Sequence, residues 1–337
     1  MPRHPWASYA RALTLSAALL LAPGCAATPT VLVPASSEAD EILHLTWIIT
    51  GIAAAVFFLV TGLLLYCAVR FRAGPDAPTP PQIASNHVLE FTWTIIPIVI
   101  LAGVVVATIR VIRDVVQPNA AAASTLHVRV VGHQWWWEFQ YLDQQVTTAN
   151  EAHVPVGEMV EFQLDSDNVI HSFWVPQLFG KTDVIPGHDN RIYLHADTAG
   201  VYRGECAEFC GLQHANMRLL IVAEPPDQFA AWVRSQQGPA ATVIGQDAQQ
   251  GRDLFMASTC AGCHTIQGSP AQGQVGPDLT HLASRAEIAA GTLPNTSSDL
   301  ADWLSNPQAV KPGSDMPNLN LDDASVAKLV AFLSQLE

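Results

Sequence analysis

From Ile42 to Val69 the chain runs 28 residues without one Asp, Glu, Lys or Arg, and from Phe91 to Ile109 it runs another 19. An α-helix rises about 1.5 Å per residue, so about 20 apolar residues cross the hydrocarbon core of a bilayer. Both runs reach that length and predict membrane-spanning helices; two buried helices of a soluble core are the alternative their length disfavours. Pro97 interrupts the second run, which is tolerated where neighbouring groups satisfy the freed carbonyl.

Upstream, Arg3 and Arg11 precede the apolar run LTLSAALLLA and the small-residue stretch PGCAA, the order of an export signal. A signal peptide over residues 1–25 follows, cleaved either before Cys25, whose thiol would carry a lipid, or after a small residue such as Ala27. Ala22 stands three places before the cysteine, where a lipoprotein site prefers Leu, so both readings stay open. An exported N-terminus makes residues 40–115 a hairpin whose Pro-rich connection, RFRAGPDAPTPPQIASNHVLE, is cytoplasmic. Everything after about Gln117 is then extracytoplasmic. The charge rule is nearly balanced, with Arg70 and Arg72 inside against Arg110 and Arg113 outside.

With 337 residues, 49% of them hydrophobic and 14% charged, the chain has room for further units beyond the hairpin. Its formal charge is -14, which excludes a nucleic-acid partner for want of phosphate-neutralising cations. A basic protein or a small molecule fits better. In VEFQLD, apolar Val160, Phe162 and Leu164 alternate with polar residues, the period of a half-buried strand. Further strand-like runs are LHVRVVGHQWWWEFQYL, RIYLHAD and MRLLIVAE, predicting a small antiparallel sandwich or barrel over residues 120–225. An amphipathic helix and linker occupy 226–244, and a helical unit fills 245–337, with capping candidates at Ser298 and Asp322.

In the helical unit CAGCH, Cys260 to His264, has the spacing that attaches haem: two thiols form thioethers and the adjacent imidazole ligates iron. A zinc or redox CxxC pair would use the same cysteines, but no second Cys/His pair follows and no βαβ unit surrounds it. Met256 is too close to Cys260 to reach the opposite haem face, whereas Met316, 52 residues past His264, is placed to do so. In the β-unit, Cys206, Cys210, His214 and Met217 share one loop, with His171 upstream in VIHSFWVP. Thiolate, imidazole and thioether together favour copper over zinc, and two thiolates can bridge two metals, each capped by one histidine. A Cys206–Cys210 disulfide and a single-copper site remain the alternatives.

The segments NHVLEFTWTIIP, GHQWWWEFQY, VIHSFWVPQLFGKTDVIPG, CAEFCGLQHANM and CAGCH together resemble the second subunit of cytochrome c oxidase, in the form that carries a cytochrome c domain at its C-terminal end. The resemblance covers nearly all of the chain after the leader. It implies a two-helix transmembrane hairpin, an all-β cupredoxin-like Greek-key barrel and an all-α class I cytochrome c-like domain. It also implies a dinuclear copper centre, CuA, bound by His171, Cys206, the Glu208 carbonyl, Cys210, His214 and Met217, and a magnesium ion held with the Glu208 side chain at the boundary with a catalytic subunit. Trp135 matches the family's electron-entry tryptophan, and Glu90 a glutamate at the mouth of a proton path. Trp136 and Trp137 read better as packing aromatics. Asn168, beside Asp167, stands where many members carry Asp, which weakens the usual docking of a separate cytochrome c and favours the tethered haem as donor.

The function so implied is electron entry into a haem-copper terminal oxidase of the bacterial inner membrane, from an external donor through haem c and CuA to a partner that reduces oxygen to water with proton pumping. Subunits I and III would be its partners, and a cytochrome c or a quinol-cytochrome c reductase its donor. From Gly245 on there are ten acidic and four basic residues, which would steer a basic donor. The competing readings are the equivalent subunit of a CuA-containing nitric oxide reductase and a stand-alone electron-transfer or copper-delivery protein; a two-span hairpin and six converging ligands argue against the latter.

Overall fold

The computed structural model describes residues 29–74, 78–116 and 126–337. The leader, Cys25 and the first residues of the expected β-unit, 120–125, lie outside them. The two apolar runs form α1 (Ser37–Arg70) and α2 (His87–Val116), packed side by side. Ser36 caps α1 by accepting the Ala39 N–H, satisfying one of the donors that a helix start leaves free. Along both helices large apolar side chains such as Phe58, Leu64 and Trp93 face outward, as a lipid-facing surface requires. The start of α1 and the end of α2 lie against the β-unit. Ala35 N–H donates to the Gln177 carbonyl and Ser36 Oγ to that of Leu178, while Val115 joins the β-unit's core with Ile42 and Val111 against it. The connection after Arg70 is therefore at the opposite end of the hairpin.

Ten strands follow: β1 (Leu126–His133), β2 (Trp136–Tyr141), β3 (Val146–Ala149), β4 (Glu151–Pro155), β5 (Val160–Ser166), β6 (His171–Trp174), β7 (Thr182–Val184), β8 (Asn190–Leu194), β9 (Gly200–Cys206) and β10 (Arg218–Glu224). They make two five-stranded sheets, ordered β3-β2-β1-β5-β8 and β4-β10-β9-β6-β7, closed face to face in a Greek-key, cupredoxin-like fold. Between them Trp137, Phe139, Phe162 and Phe173 are fully buried, and each such side chain taken from water contributes about 2–3 kcal/mol.

Three details differ from the sequence expectation. The sheets are mixed, because β1 runs parallel to β5 and β4 parallel to β10. The chain crosses between sheets after β3, so strands distant in sequence meet in the same direction. The run from Leu126 to Leu142 is also not one strand: it folds back at Gln134-Trp135, a cis peptide, into a hairpin pairing His133 with Trp136. The cysteine-rich loop joins β10 to β9, a strand absent from the runs read in the sequence, because its inward residues are only Tyr202, Gly204 and Cys206. Gly204 leaves no apolar signal there. A Cβ on it would lie 2.8 Å from Leu219 and from the Trp174 carbonyl, so the close strand packing requires glycine.

α3 (Pro226–Gln236) starts with proline in its first turn and lays Trp232 flat on His153, ring centroids 4.3 Å apart. The helical unit contains α4 (Gln246–Ala257), α5 (Cys260–Cys263), α6 (Ser297–Ser305), α7 (Pro307–Val310) and α8 (Asp323–Leu333). Asp322 caps α8 as expected, but α6 is capped by Thr296 rather than Ser298, its hydroxyl accepting the Asp299 N–H. A two-residue ladder, β11 (Glu287–Ile288) with β12 (Leu293–Pro294), is added to the helices. Its turn places Ala289, Ala290 and Gly291 at positive φ, a region costly for alanine that surrounding contacts must enforce.

The core of this unit is the crossing of α4 over α8, where Phe255 meets Phe332 edge to face. Gly251 makes the crossing possible: a Cβ there would lie 1.9 Å from the Lys328 carbonyl oxygen, a backbone atom that cannot step aside. Gly251→Ala is therefore expected to destabilise the helical unit by about 2 kcal/mol or more, measured as a fall in its unfolding midpoint while the β-unit is unchanged.

Candidate metal centre

The antiparallel pairing of β6 with β9 sets Phe173 opposite Cys206, which puts His171, at the start of β6, beside the end of β9. His171 Nδ1 lies 3.8 Å from Cys206 Sγ. The loop then turns so that Cys210 Sγ stands 3.8 Å from Cys206 Sγ, 3.7 Å from His214 Nδ1 and 3.9 Å from Met217 Sδ. The Glu208 carbonyl oxygen lies 3.2 Å from Cys206 Sγ, while its side chain is exposed. All six residues predicted from the sequence are thus brought together. The two sulfurs are free thiols rather than a disulfide.

The donor set fits copper. Two thiols, two imidazole nitrogens and a thioether converge in a pocket where His171 and Met217 have no exposed surface, and soft donors in a dry site select copper over hard cations. The Cys206 thiol is pushed down, chiefly by a hydrogen bond from Cys210, which is pushed up in turn as donor. Cys206 is therefore the first to offer a thiolate.

His171 is oriented from behind. Its Nε2–H donates to Asn168 Oδ1 at 3.1 Å, which leaves Nδ1 free toward the sulfurs. Its ring packs over Gly132, where a Cβ would come within 2.8 Å, and meets the edge of buried Trp137. Asn168 thus has a positioning role beyond its difference from the family's residue. Asp167 instead faces His133 at 2.6 Å.

The second site is a cavity of about 440 Å³ in the helical unit, lined by Cys260, Cys263, His264 and Met316 among others. Met256, set aside on spacing, does not line it. His264 Nδ1–H donates to the Pro277 carbonyl at 2.8 Å, so Nε2 keeps its lone pair. Burial pushes the His264 pKa down, which keeps the ring neutral and able to ligate. A Cβ on Gly276 would lie 2.5 Å from this ring, so only glycine fits behind it. The wall also holds Arg285, buried, with Nη2 donating to the Asp278 carbonyl and Nε without a partner. An anionic group inside the cavity would complete it, and a covalently held haem with carboxylate side chains meets every one of these demands.

The two sites share a wall. Trp135 and Trp136 of the β-unit line the same cavity, and Trp135 donates its indole N–H to the Cys210 carbonyl at 3.0 Å. Gln134 Nε2 donates to that carbonyl at 2.7 Å, and Trp136 stacks on His133 with centroids 4.0 Å apart. Trp136 therefore packs and also faces the cavity, whereas Trp137 only packs. Glu90, by contrast, sits in the first turn of α2, away from both sites, accepting the Asn86 N–H at 3.2 Å.

Sequence reasoning missed Lys311. Its Nζ donates to the Trp135 carbonyl at 2.7 Å and to the Ala289 carbonyl at 3.3 Å, and only 3% of the residue is exposed. Burial pushes its pKa down to about 7, partly opposed by Cys210. A lysine in the stretch KPGSD gives no periodic or motif signal. Arg285 was missed for the same reason, and Asn168 was noted only as a departure from the family's residue, without its contact to His171.

Family models match most of the described chain. Cytochrome C oxidase subunit II, transmembrane domain, matches residues 29–111; the periplasmic domain of the same subunit matches 144–224, and Cytochrome c matches 248–337. The subunit 2 of cytochrome c oxidase from Alkalihalophilus pseudofirmus is 34% identical over 98% of both chains. That of Bacillus sp. strain PS3 is 35% identical over 80% of each, and that of Bacillus subtilis 30% identical over 96% of this chain and 97% of its own. With its apolar hairpin, its β-fold around clustered thiols and its CxxCH cavity, the chain belongs to the cytochrome c oxidase subunit 2 family, in the form that carries its own cytochrome c domain.

Proposed function

We propose that this chain is the electron-entry subunit of its haem-copper oxidase, receiving electrons from an external donor at the cytochrome c domain and passing them through the β-domain to the oxygen-reducing subunit. The observation that carries this reading is the shared wall: Trp135 borders the CxxCH cavity and is hydrogen-bonded to the carbonyl of Cys210. No second protein need dock for the two sites to communicate.

Cys206, Cys210, His171, His214, Met217 and the Glu208 carbonyl would hold a pair of copper ions, and Cys260, Cys263, His264 and Met316 would hold haem c. Bound there, both groups supply one-electron carriers. The chain's own contribution is to fix donors in a dry site, so that ligands move little when charge changes. The exposed Glu208 carboxylate, beside exposed Phe209 and Leu212, would face the catalytic subunit and help hold magnesium there. Glu90, at the far end of the hairpin, would lie at the cytoplasmic mouth of the partner's proton path. The β-domain and haem domain would then be periplasmic in a bacterial inner membrane, with subunits I and III packed on the outward apolar faces of α1 and α2 and proton pumping carried by the partner. Arg285 and Lys311 are buried, so the outer surface of the haem domain is more acidic than its composition and suits a basic donor such as a cytochrome c.

Three outcomes test this. The purified full-length chain loaded with copper should show an EPR signal of one electron spread over two equivalent nuclei, and Cys210→Ser should abolish that pattern; a single-nucleus signal in the unaltered protein would sink the dinuclear reading. Met316→Leu should keep haem attached but lower its reduction potential and remove the red-end absorption band of a thioether-ligated ferric haem, because the thioether favours Fe(II). Isolated from its native membrane, the chain should copurify with a haem-bearing, multi-span partner that consumes oxygen.

A further inference from the structure

The reading above leaves open how a haem domain joined by a linker is kept in register with the copper site. The contact surface answers from both sides. The β11–β12 turn rests on the start of β10, with Arg218 N–H donating to the Ala290 carbonyl at 3.1 Å, one residue past Met217. Ala286 N–H donates to Glu151 Oε2 at 2.9 Å, and Glu287 is paired with Arg203. Gln213 Nε2, from the copper loop, donates to the Pro312 carbonyl at 2.6 Å. At the centre lies Lys311, which joins Ala289 of the turn to the backbone of Trp135. A buried amine whose hydrogen-bond partners are two carbonyls is a costly arrangement, and here it ties the haem-cavity wall to the tryptophan facing it.

We infer that Lys311 is a positioning residue for electron transfer inside this chain, clamping Ala289 of the haem-cavity wall to the Trp135 carbonyl so that the indole is held between that cavity and Cys210 and the haem domain stays docked rather than shuttling. The clamp uses two N–H donors, which the amine has whether charged or neutral. The step it serves moves one electron from the haem site to the copper site, with no bond or proton exchanged. The inference rests on the cofactor assignment proposed above, and it adds a residue and a fixed geometry to it.

The test uses the assembled membrane complex, with the haem reduced by a light pulse and copper reduction followed. In the unaltered protein the internal rate should be independent of added viscogen; a rate falling in inverse proportion to viscosity means a mobile domain and overturns the inference. K311M should slow the internal rate at least ten-fold, and K311R, which can donate to both carbonyls, should recover most of it. Hydrogen exchange should report the same contact without electron transfer: peptides covering residues 134–136 and 289–291 should lose protection in K311M and keep it in K311R. An unchanged rate in K311M, or an equal loss in K311R, refutes the assignment. The copper EPR signal and haem absorbance of the same samples report the cofactor reading separately. With both intact and the rate unmoved, only the role of Lys311 falls; should K311M not accumulate, the viscosity measurement on the unaltered complex decides alone.

Discussion

The pairing of Phe173 with Cys206 across β6 and β9 is the contact on which the rest of the metal-binding architecture depends. It brings His171, 35 residues upstream of Cys206, within 3.8 Å of that thiol and buries both ends of the cluster in the sandwich core. Because side chains alternate along a strand, a slip of one residue would turn His171 or Cys206 to the other face and scatter the donors. Two buried glycines permit this register. Gly132 lets the imidazole lie against β1, and Gly204 lets β9 approach the Trp174 carbonyl. Asn168 then selects which imidazole nitrogen faces the sulfurs.

The haem domain depends on the same β-unit for its own inner wall. Trp135 and Trp136, with Gln134 and Asn150, close a cavity whose remaining lining starts at Phe255, more than a hundred positions later in the chain. Short hydrogen bonds and a buried amine make this a fitted surface rather than a loose contact between tethered bodies, and the positive-φ turn at Ala289 and Ala290 is held where it meets β10. Family membership identifies the modules; the interface sets one tryptophan, Trp135, between the CxxCH cavity and the Cys210 carbonyl.

Much of this was legible beforehand, for uneven reasons. Membrane spans are set by unbroken apolar length, and CxxCH by covalent spacing, so both could be read residue by residue. The cluster of soft donors was legible because two cysteines, a histidine and a methionine share one short loop, with His171 read beside them, whereas the Glu208 carbonyl entered only through the family resemblance. The β9 strand was not legible, since glycine at its inward position erases the alternation. Nor were the parallel strand pairs, because nothing local records which distant strand will lie alongside. Lys311 and Arg285 looked like surface cations. Their burial follows from where the cavity and the domain boundary fall, which no window of sequence contains.

By itself, then, the sequence determined which chemistry the chain carries: apolar runs long enough for a bilayer, soft donors clustered enough for copper, and a thiol pair spaced for haem. These follow from covalent proximity and composition. Only the tertiary structure decided the relation between them, by folding β1 back at Trp135 and seating the β11–β12 turn against β10 so that the cavity wall and the copper loop meet. The reason is physical: ligand identity is a property of neighbours in the chain, whereas the path between two sites is a property of neighbours in space.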